Sequence, residues 1–445
     1  LPEVDLLVVN PWIYDFSAHD FWLKPYGLLS LGGLLRAKGY KVHYIDLLDP
    51  FHQGLPKPPK RKDFGTGHFY KEPVAKPSSL RDIPRKYYRY GLPYQLAKDL
   101  LSSVKPKAIL TGITMTYWYP GLFVLLKLLV KLFPETPIFV GGIYARLCQE
   151  HLKDFLTKEG LHQVIVFSGG SRASALKLIE SYVKPSCPPS PLNYPIFDLQ
   201  TAIPYVVLLT SEGCPYHCPY CASRLLYERF TTFPPMRIVE EIEFWHKNYG
   251  VVDFAFYDDA LLFKFDEHLK PILTGVLERG LRVRFHTPNA LHARFINKEV
   301  AELLREAGFK TIRLGLERVD NRFDSKVKKE EFVEAVRHLR AAGFETRDLG
   351  AYVIFGVPEE DFLEVEKTLH FLYELKVQPY LAEFSPVPGT PFFELCRETS
   401  RYPIDEDPIF HNKSLFSALK KPDWEKINSL KNLARSIRRA ILQAV

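Results

Sequence analysis

The sequence predicts an α/β protein of two units: an N-terminal flavodoxin-like (Rossmann-like) parallel sheet over residues 1–182, and a partial (β/α)6 barrel of TIM type over 205–400, followed by a helical extension at 401–445. Three observations carry this. Short apolar runs alternate with longer stretches of helical period from Asp5 to about Tyr182. A stretch with six prolines, "VKPSCPPSPLNYPIFDLQTAIP" at 183–204, then interrupts the series as an extended surface linker would. Beyond it the alternation resumes for six further repeats.

In the first unit "DLLVVN" reads as a buried strand and "PYGLLSLGGLLRAKGY" as a helix stopped by Gly39. Then come "KVHYIDL" (strand), "LPYQLAKDLLSSV" (helix), "KAILTGIT" (strand), "YPGLFVLLKLLVKLF" (helix), "TPIFVGG" (strand) and "YARLCQEHLKDFL" (helix). "HQVIVFSGG" with "SRASALKLIESYV" closes the series. Parallel strands need crossovers, so five strands each followed by a helix or helical linker make a doubly wound sheet. Ligands of such sheets sit beyond the carboxyl ends of the strands, here the loops at Asn10, Thr114, Gly141 and Ser168.

Between the second strand and the next helix lies an insertion, residues 51–92, rich in Pro, Lys, Arg and Tyr and without strand or helix period over most of its length. It is too long for an ordinary connection, which leaves disorder or a functional flap. Phe64, Phe69, Tyr70, Tyr87, Tyr88 and Tyr90 favour the ordered choice, because disordered segments are poor in aromatics. The insertion also carries the net charge of +7: residues 51–90 hold ten Lys or Arg against three acids, and the remainder is balanced. That argues against a nucleic-acid-binding surface and leaves a local contact to an anionic substrate open.

The 46% apolar and 25% charged residues are ordinary globular values. The longest apolar stretch, "GLFVLLKLLVKLF", falls short of the roughly 18 residues of a membrane span and contains Lys127 and Lys131. The N-terminus shows no signal-peptide pattern, so a soluble cytoplasmic protein with no membrane span is expected. Six cysteines are too few for a disulfide scaffold, and Cys148, Cys187 and Cys396 read as isolated buried thiols.

In the second unit the strands read "YVVLLT", "VDFAFYDD", "RVRFHTPN", "TIRLGLE", "DLGAYVIFG" and "LAEFSPV", with amphipathic helices between them. Six repeats cannot close an eight-stranded barrel, and as in full barrels the chemistry belongs at the carboxyl strand ends. There, after the first strand, "SEGCPYHCPYCASR" packs Cys214, Cys218 and Cys221 into eight residues. A structural zinc site wants four ligands, and His217 could be the fourth, but it abuts Cys218 and no second cysteine pair follows. Thiolates also hold iron–sulfur clusters, and three on a cubane leave one iron free for a small molecule.

The CxxxCxxC spacing at the top of a first barrel strand, with Tyr220 before the third cysteine, resembles the radical SAM superfamily over about residues 205–400. The resemblance implies a 4Fe–4S cluster on Cys214, Cys218 and Cys221 whose open iron chelates S-adenosylmethionine. It implies SAM contacts from Tyr220, from Asp258 in "FYDDALLF", from Asn289 and Arg294 in "PNALHAR", and from Glu317 in "LGLERVD". "VIFGVPEE" is similar to the stretch that backs adenine, and "FSPVPGTPFF" to a late-strand motif of many members. Each also has a plain structural reading: an aspartate pair caps helices, GVP and PGT are ordinary turns, and Arg294 can simply face water.

A flavodoxin-like unit before such a barrel resembles the cobalamin-dependent branch of that superfamily. The matching positions are Thr114 and Thr116, Gly141, Gly142 and Tyr144 in "VGGIYA", and Ser168 and Gly169 in "FSGG", which the resemblance implies as cobalamin contacts. The loop after the first strand, "NPWIYDFSAHDFWLKPYG", lacks the DxHxxG of proteins that ligate cobalt through histidine, since Asp15 and His19 stand at another spacing. That leaves cobalt without a protein imidazole, or a unit that no longer binds cobalamin. The implied activity is methylation of an unactivated carbon through a 5′-deoxyadenosyl radical and methylcobalamin, with a reductant such as flavodoxin or ferredoxin as partner. A rearrangement, cyclisation or oxidation without methyl transfer, or a cluster-bearing module without catalysis, would use the same residues; a methylthiotransferase is disfavoured because no second cysteine triplet exists.

Overall fold

Leu6, Leu7, Val8 and Val9 are fully buried on consecutive positions, the mark of a strand covered on both faces, and they form the centre of the first of two sheets. The computed structural model describes residues 1–320 and 327–443. The chain divides into two units, Leu1–Pro204 with Asp405–His411, and Tyr205–Ile404 with the chain from Asn412.

The first unit is a five-stranded parallel sheet of β1 (Glu3–Asn10), β2 (Val42–Asp46), β3 (Lys105–Ile113), β4 (Ile138–Gly141) and β5 (Val164–Val166), in spatial order 5-4-3-1-2. This is the flavodoxin-like arrangement, whose order reverses between β1 and β3. Its helices are α1 (Tyr26–Ala37), α2 (Tyr94–Ser102), α3 (Tyr119–Leu132), α4 (Gln149–Lys158) and α5 (Arg172–Glu180). The expected helix through "YARLCQEHLKDFL" is broken at Cys148, with a short helix Gly142–Leu147 before it.

The insertion is ordered, and its aromatics explain why. Phe69, Tyr87 and Tyr90 are buried, and short antiparallel strands Ile13–Asp15, Tyr88–Tyr90 and Lys71–Pro73 form a three-stranded sheet. Some of its basic residues are committed within the fold: Arg61 pairs Asp20, Arg89 pairs Glu72, and the Lys71 ammonium lies 4.0 Å from the Tyr88 ring centroid. The proline-rich stretch 183–204 is strapped to α1 and β1: Arg36 pairs Asp198 at 2.5 Å, Ser186 Oγ donates to Asp5 at 2.6 Å, and Ile196 and Phe197 are fully buried. Its prolines keep it extended, while its apolar residues hold it down.

The second unit runs β6 (Val206–Leu208), β7 (Asp253–Phe256), β8 (Arg284–His286), β9 (Phe309–Gly315), β10 (Leu349–Phe355) and β11 (Gln378–Glu383), parallel and in sequence order, with a bulge between β8 and β9. The crossovers are α6 (Pro235–Tyr249), α7 (Leu269–Glu278), α8 (Lys298–Glu306), α9 (Lys329–Ala341) and α10 (Phe362–Glu374). This is the open six-stranded (β/α) barrel expected from the alternation. After β11 come α11 (Pro391–Thr399) and the helix α12 (Trp424–Gln443), which packs on β11 and α10 through Ile427, Leu430, Ala434, Ile437 and Ile441. Among the described residues no helix is long and apolar enough to cross a membrane.

Candidate functional site

The cysteine loop leaves the carboxyl end of β6, and its two ends are held by two adjacent aspartates from the loop after β7. Asp258 takes the first end: its carboxylate accepts the Thr210 backbone N–H at 3.1 Å, the Thr210 hydroxyl at 2.7 Å and the Ser211 hydroxyl at 2.5 Å. Asp259 takes the other, accepting the Ser223 hydroxyl at 2.6 Å, while the Ser223 backbone N–H reaches Cys221 Sγ at 3.5 Å. Burial pushes the Asp258 carboxyl up to about 6, against the Ser211 and Thr210 donors that favour its ionised form. His268, 2% exposed, sits behind, with Nε2 at 2.8 Å from Thr210 Oγ1. The Thr210 proton goes to Asp258, so the hydroxyl accepts from His268, whose Nε2 carries the hydrogen.

Cys214 and Cys218 are half-buried, Cys221 is exposed, and none forms a disulfide. Among the described residues no three His, Cys, Asp or Glu side chains converge on a point that a single metal ion could occupy. Three thiols spread along one clasped loop, two of them partly shielded, are the donor set a cubane cluster takes, one thiolate to each of three irons. The loop is also pinned from the far end of the unit. Thr390 caps α11 by accepting the Phe393 N–H, the Phe392 N–H donates to Pro219 O at 3.0 Å, and the Phe392 ring lies 6.0 Å from that of Tyr220.

Around it the structure disperses the other expected residues among distinct tasks. Asn289 Nδ2 donates to the Tyr257 carbonyl at 2.7 Å and so fixes the turn that presents the aspartate pair. Arg294 lies beside the Tyr216 ring, 5.9 Å to the centroid, and Tyr216 stacks on His292 at 4.7 Å. Burial, with the nearby Cys214 and Cys218, raises the Tyr216 phenol against the influence of Arg294. Glu317, 9% exposed, holds a left-handed backbone (φ 58) directly after β9, a strained conformation for a side chain of its size. Next to it Arg318 is buried and paired with Glu360 at 2.6 Å, and Glu360 accepts the Gly356 and Val357 N–H groups, so the pair shapes the "GVPEE" turn.

In the first unit the expected cofactor residues fall on the loops after β3, β4 and β5. Gly142 and Gly169 are exposed and Thr114, Gly141 and Ser168 are partly so, which leaves a ledge of accessible backbone at the strand ends. Thr116 and Tyr144 point inward instead: Thr116 Oγ1 lies 2.9 Å from His411 Nδ1, and the Tyr144 hydroxyl 2.7 Å from His151 Nδ1. Asp407 accepts from Tyr119 at 2.8 Å, so the late segment Asp405–His411 is bonded into this unit through Thr116 of the β3–α3 connection and Tyr119, the first residue of α3. The ledge fits a cofactor with an extended polar tail, because bare glycine backbone offers N–H groups at close range.

Thr210, Ser211, His268, Tyr216 and His411 were not singled out in the sequence. The hydroxyl pair "TS" two residues before "GC" is the one local signal that could have pointed to the loop's anchorage.

Residues 208–372 match the Radical SAM superfamily. The chain is 28% identical over 200 residues to an uncharacterized methyltransferase of Pyrococcus horikoshii (43% of this chain, 42% of that one). It is 23% identical over 209 residues to the bacteriochlorophyllide d C-12(1)-methyltransferase of Chlorobaculum tepidum (44% of each). The matches thus cover less than half the length of these relatives. Among solved structures the fold is similar to TsrM of Kitasatospora setae, a radical S-adenosylmethionine methyltransferase solved with cobalamin and a [4Fe–4S] cluster, at a TM-score of 0.65 and 14% identity, covering 98% of this chain and 89% of that one.

Proposed function

We propose that this chain, whose residues 208–372 form a radical SAM domain, is a cobalamin-dependent radical SAM enzyme that methylates an unactivated carbon. The observation that carries this reading is the pairing of a three-thiol loop clasped at a barrel's strand ends with a doubly wound unit that bares a glycine ledge at its own. The similarity to methyltransferases and the shared fold with TsrM support it.

When bound, the cluster and SAM would supply an adenosyl radical and cobalamin a transferable methyl group. The work of the protein is then positional. Asp258 and Asp259 fix the spacing of the loop ends, so Cys214, Cys218 and Cys221 are presented on one rigid turn. Tyr220, Asn289, Arg294 and Glu317 would surround SAM, with Arg294 and Tyr216 flanking the thiols as cation and phenol. Thr114, Gly141, Gly142, Ser168 and Gly169 would carry the cobalamin tail, and Thr116 and Tyr144 would hold that ledge from beneath through His411 and His151.

The test is reconstitution with iron, sulfide and cobalamin, followed by reduction in the presence of methyl-labelled SAM. Label moving from SAM to the bound corrinoid, together with 5′-deoxyadenosine, supports the reading. Formation of 5′-deoxyadenosine with no label leaving SAM's methyl position sinks the methyltransferase assignment, and a protein that retains no corrinoid spectrum sinks the cobalamin assignment.

A further inference from the structure

The first unit holds a cavity at the edge of its sheet remote from the glycine ledge. It lies at the carboxyl end of the edge strand β2, whereas the ledge residues follow β3, β4 and β5. The space is about 170 Å³, bounded by Lys24 ahead of α1, by His43, Tyr44 and Asp46 of β2, by Asp49 in the turn beyond it, and by Gln200 of the proline-rich strap. A single water needs only about 15 Å³ of such space, so the cavity is sized for a small organic molecule rather than for one bridging water. Two of its walls are tied to each other: Asp49 accepts the Thr201 hydroxyl of the strap with one oxygen and the Phe51 N–H of its own turn, at 2.8 Å, with the other.

The polar groups of the lining are of both kinds. Asp46 Oδ1 accepts the Asn10 side-chain amide at 2.7 Å and the Leu48 N–H at 3.0 Å. A carboxylate has sites for about four donors, and among the described residues Oδ2 takes no hydrogen bond and the group no ion pair. The Tyr44 hydroxyl, on a residue 5% exposed, stands close to this carboxylate but short of hydrogen-bond geometry. Burial raises the Asp46 carboxyl, against the pull of the Lys24 charge and the Asn10 donor. Lys24, itself buried, donates from Nζ to Gln200 Oε1 at 2.7 Å, which fixes the amide's orientation and leaves Gln200 Nε2 buried with no acceptor. The cavity thus gathers an acceptor with spare capacity, an ammonium and an amide donor without an acceptor.

That mixture selects the ligand. An anion would meet Asp46 and Asp49, and a cation would meet Lys24. An uncharged molecule bearing hydroxyl groups, each both donor and acceptor, suits every side of such a lining. Doubly wound folds that bind dinucleotides hold ribose hydroxyls on an acidic residue soon after the first helix, and Asp46 occupies the corresponding place after α1.

We propose that this cavity binds the vicinal diol of a furanose-sized polyol, with Asp46 Oδ2 accepting a hydroxyl proton and Lys24 and the Gln200 amide donating to the hydroxyl oxygens. The site is separate from the cluster loop and from the ledge, and it does not depend on the methyltransferase reading.

The experiment uses the full chain with methyl β-D-ribofuranoside as the probe and its 2-deoxy counterpart, which lacks the diol, observed by saturation-transfer NMR. Loss of a hydrogen bond to a charged group should make the deoxy compound bind about tenfold more weakly. Asp46→Asn keeps the Oδ1 acceptor for Asn10 and Leu48 and replaces only Oδ2, so it should abolish that preference. Ala202→Leu, at another lining position on the strap, fills the cavity without touching Asp46 and should abolish binding of both sugars; it serves as the test if Asp46→Asn misfolds. Cobalamin added to the protein should leave probe binding unchanged. Absence of probe binding, equal binding of the two sugars, or binding unaltered in the folded variants overturns the proposal. Displacement of the probe by cobalamin overturns it as well, because the cavity would then belong to the corrinoid site.

Discussion

Replacing His268 by Gln should unmask a pH dependence that the wild-type protein hides. Burial keeps the His268 imidazole at about 4, well below its ordinary 6.5, and the same burial pushes Asp258 up from 3.8 to about 6. The two shifts act on stability with opposite sign. Between about 6.5 and 4 the unfolded chain takes a proton on His268 that the folded chain refuses, so this group destabilises the fold as pH falls. Between about 6 and 3.8 the folded chain holds a proton on Asp258 that the unfolded chain has released, so this group stabilises the fold as pH falls. From pH 7 to pH 4 the first effect costs about 3 kcal/mol and the second returns about 2 kcal/mol.

The wild type should therefore change little from this pair across that range, because the opposing terms nearly cancel. His268→Gln keeps a donor for Thr210 and removes only the imidazole's titration, so relative to wild type it should gain about 3 kcal/mol on acidification from pH 7 to pH 4. The assay is urea unfolding of the apoprotein at each pH from 4 to 7, read through the transition of the barrel unit. Parallel pH profiles for the two proteins would refute the assignment of a neutral, buried His268 donating to Thr210. Asp258→Asn, measured alongside, should show the opposite departure, losing about 2 kcal/mol relative to wild type over the same interval.

Cys218→Ala should leave the fold intact and abolish both the absorption of a reconstituted cluster and the cleavage of SAM; retained 5′-deoxyadenosine formation would exclude Cys218 as a ligand. Glu360→Gln removes the counter-ion of buried Arg318 and should cost about 3–5 kcal/mol in urea unfolding, with a loss under about 1 kcal/mol showing that Asp320, at 3.3 Å, suffices. Gly142→Ala places a Cβ 2.9 Å from the Ile113 carbonyl on a backbone with φ of +92, so it should cost about 1–3 kcal/mol and weaken retention of cobalamin on gel filtration; unaltered retention would remove Gly142 from the proposed ledge.

The architecture was legible because both sheets are parallel and buried on two faces, which writes their strands as continuous apolar runs such as "DLLVVN" and "KAILTGIT". The cysteine triplet was legible for a related reason: its spacing is a local property of one loop. What resisted reading were features set by contacts far apart in the chain. The insertion's basic residues suggested an anion, yet Arg61 and Arg89 are spent on Asp20 and Glu72, partners 41 and 17 residues away. The segment Asp405–His411 belongs with the first unit through Thr116 and Tyr119, almost three hundred residues earlier, and no periodicity could announce that.

Asp258 and Arg313 show how the same limit bears on function. In sequence, an aspartate pair after a strand invites a role toward the cofactor. In the structure Asp258 has three donors from the loop's first turn, which leaves its carboxylate occupied with geometry rather than with a ligand. Arg313 presents the reverse case, a strand residue inside "TIRLGLE" that reads as one charge among many. Its partner is visible only once β11 is in place: the guanidinium lies 4.4 Å from the Tyr380 ring and donates to the Tyr380 hydroxyl, 67 residues further along the chain.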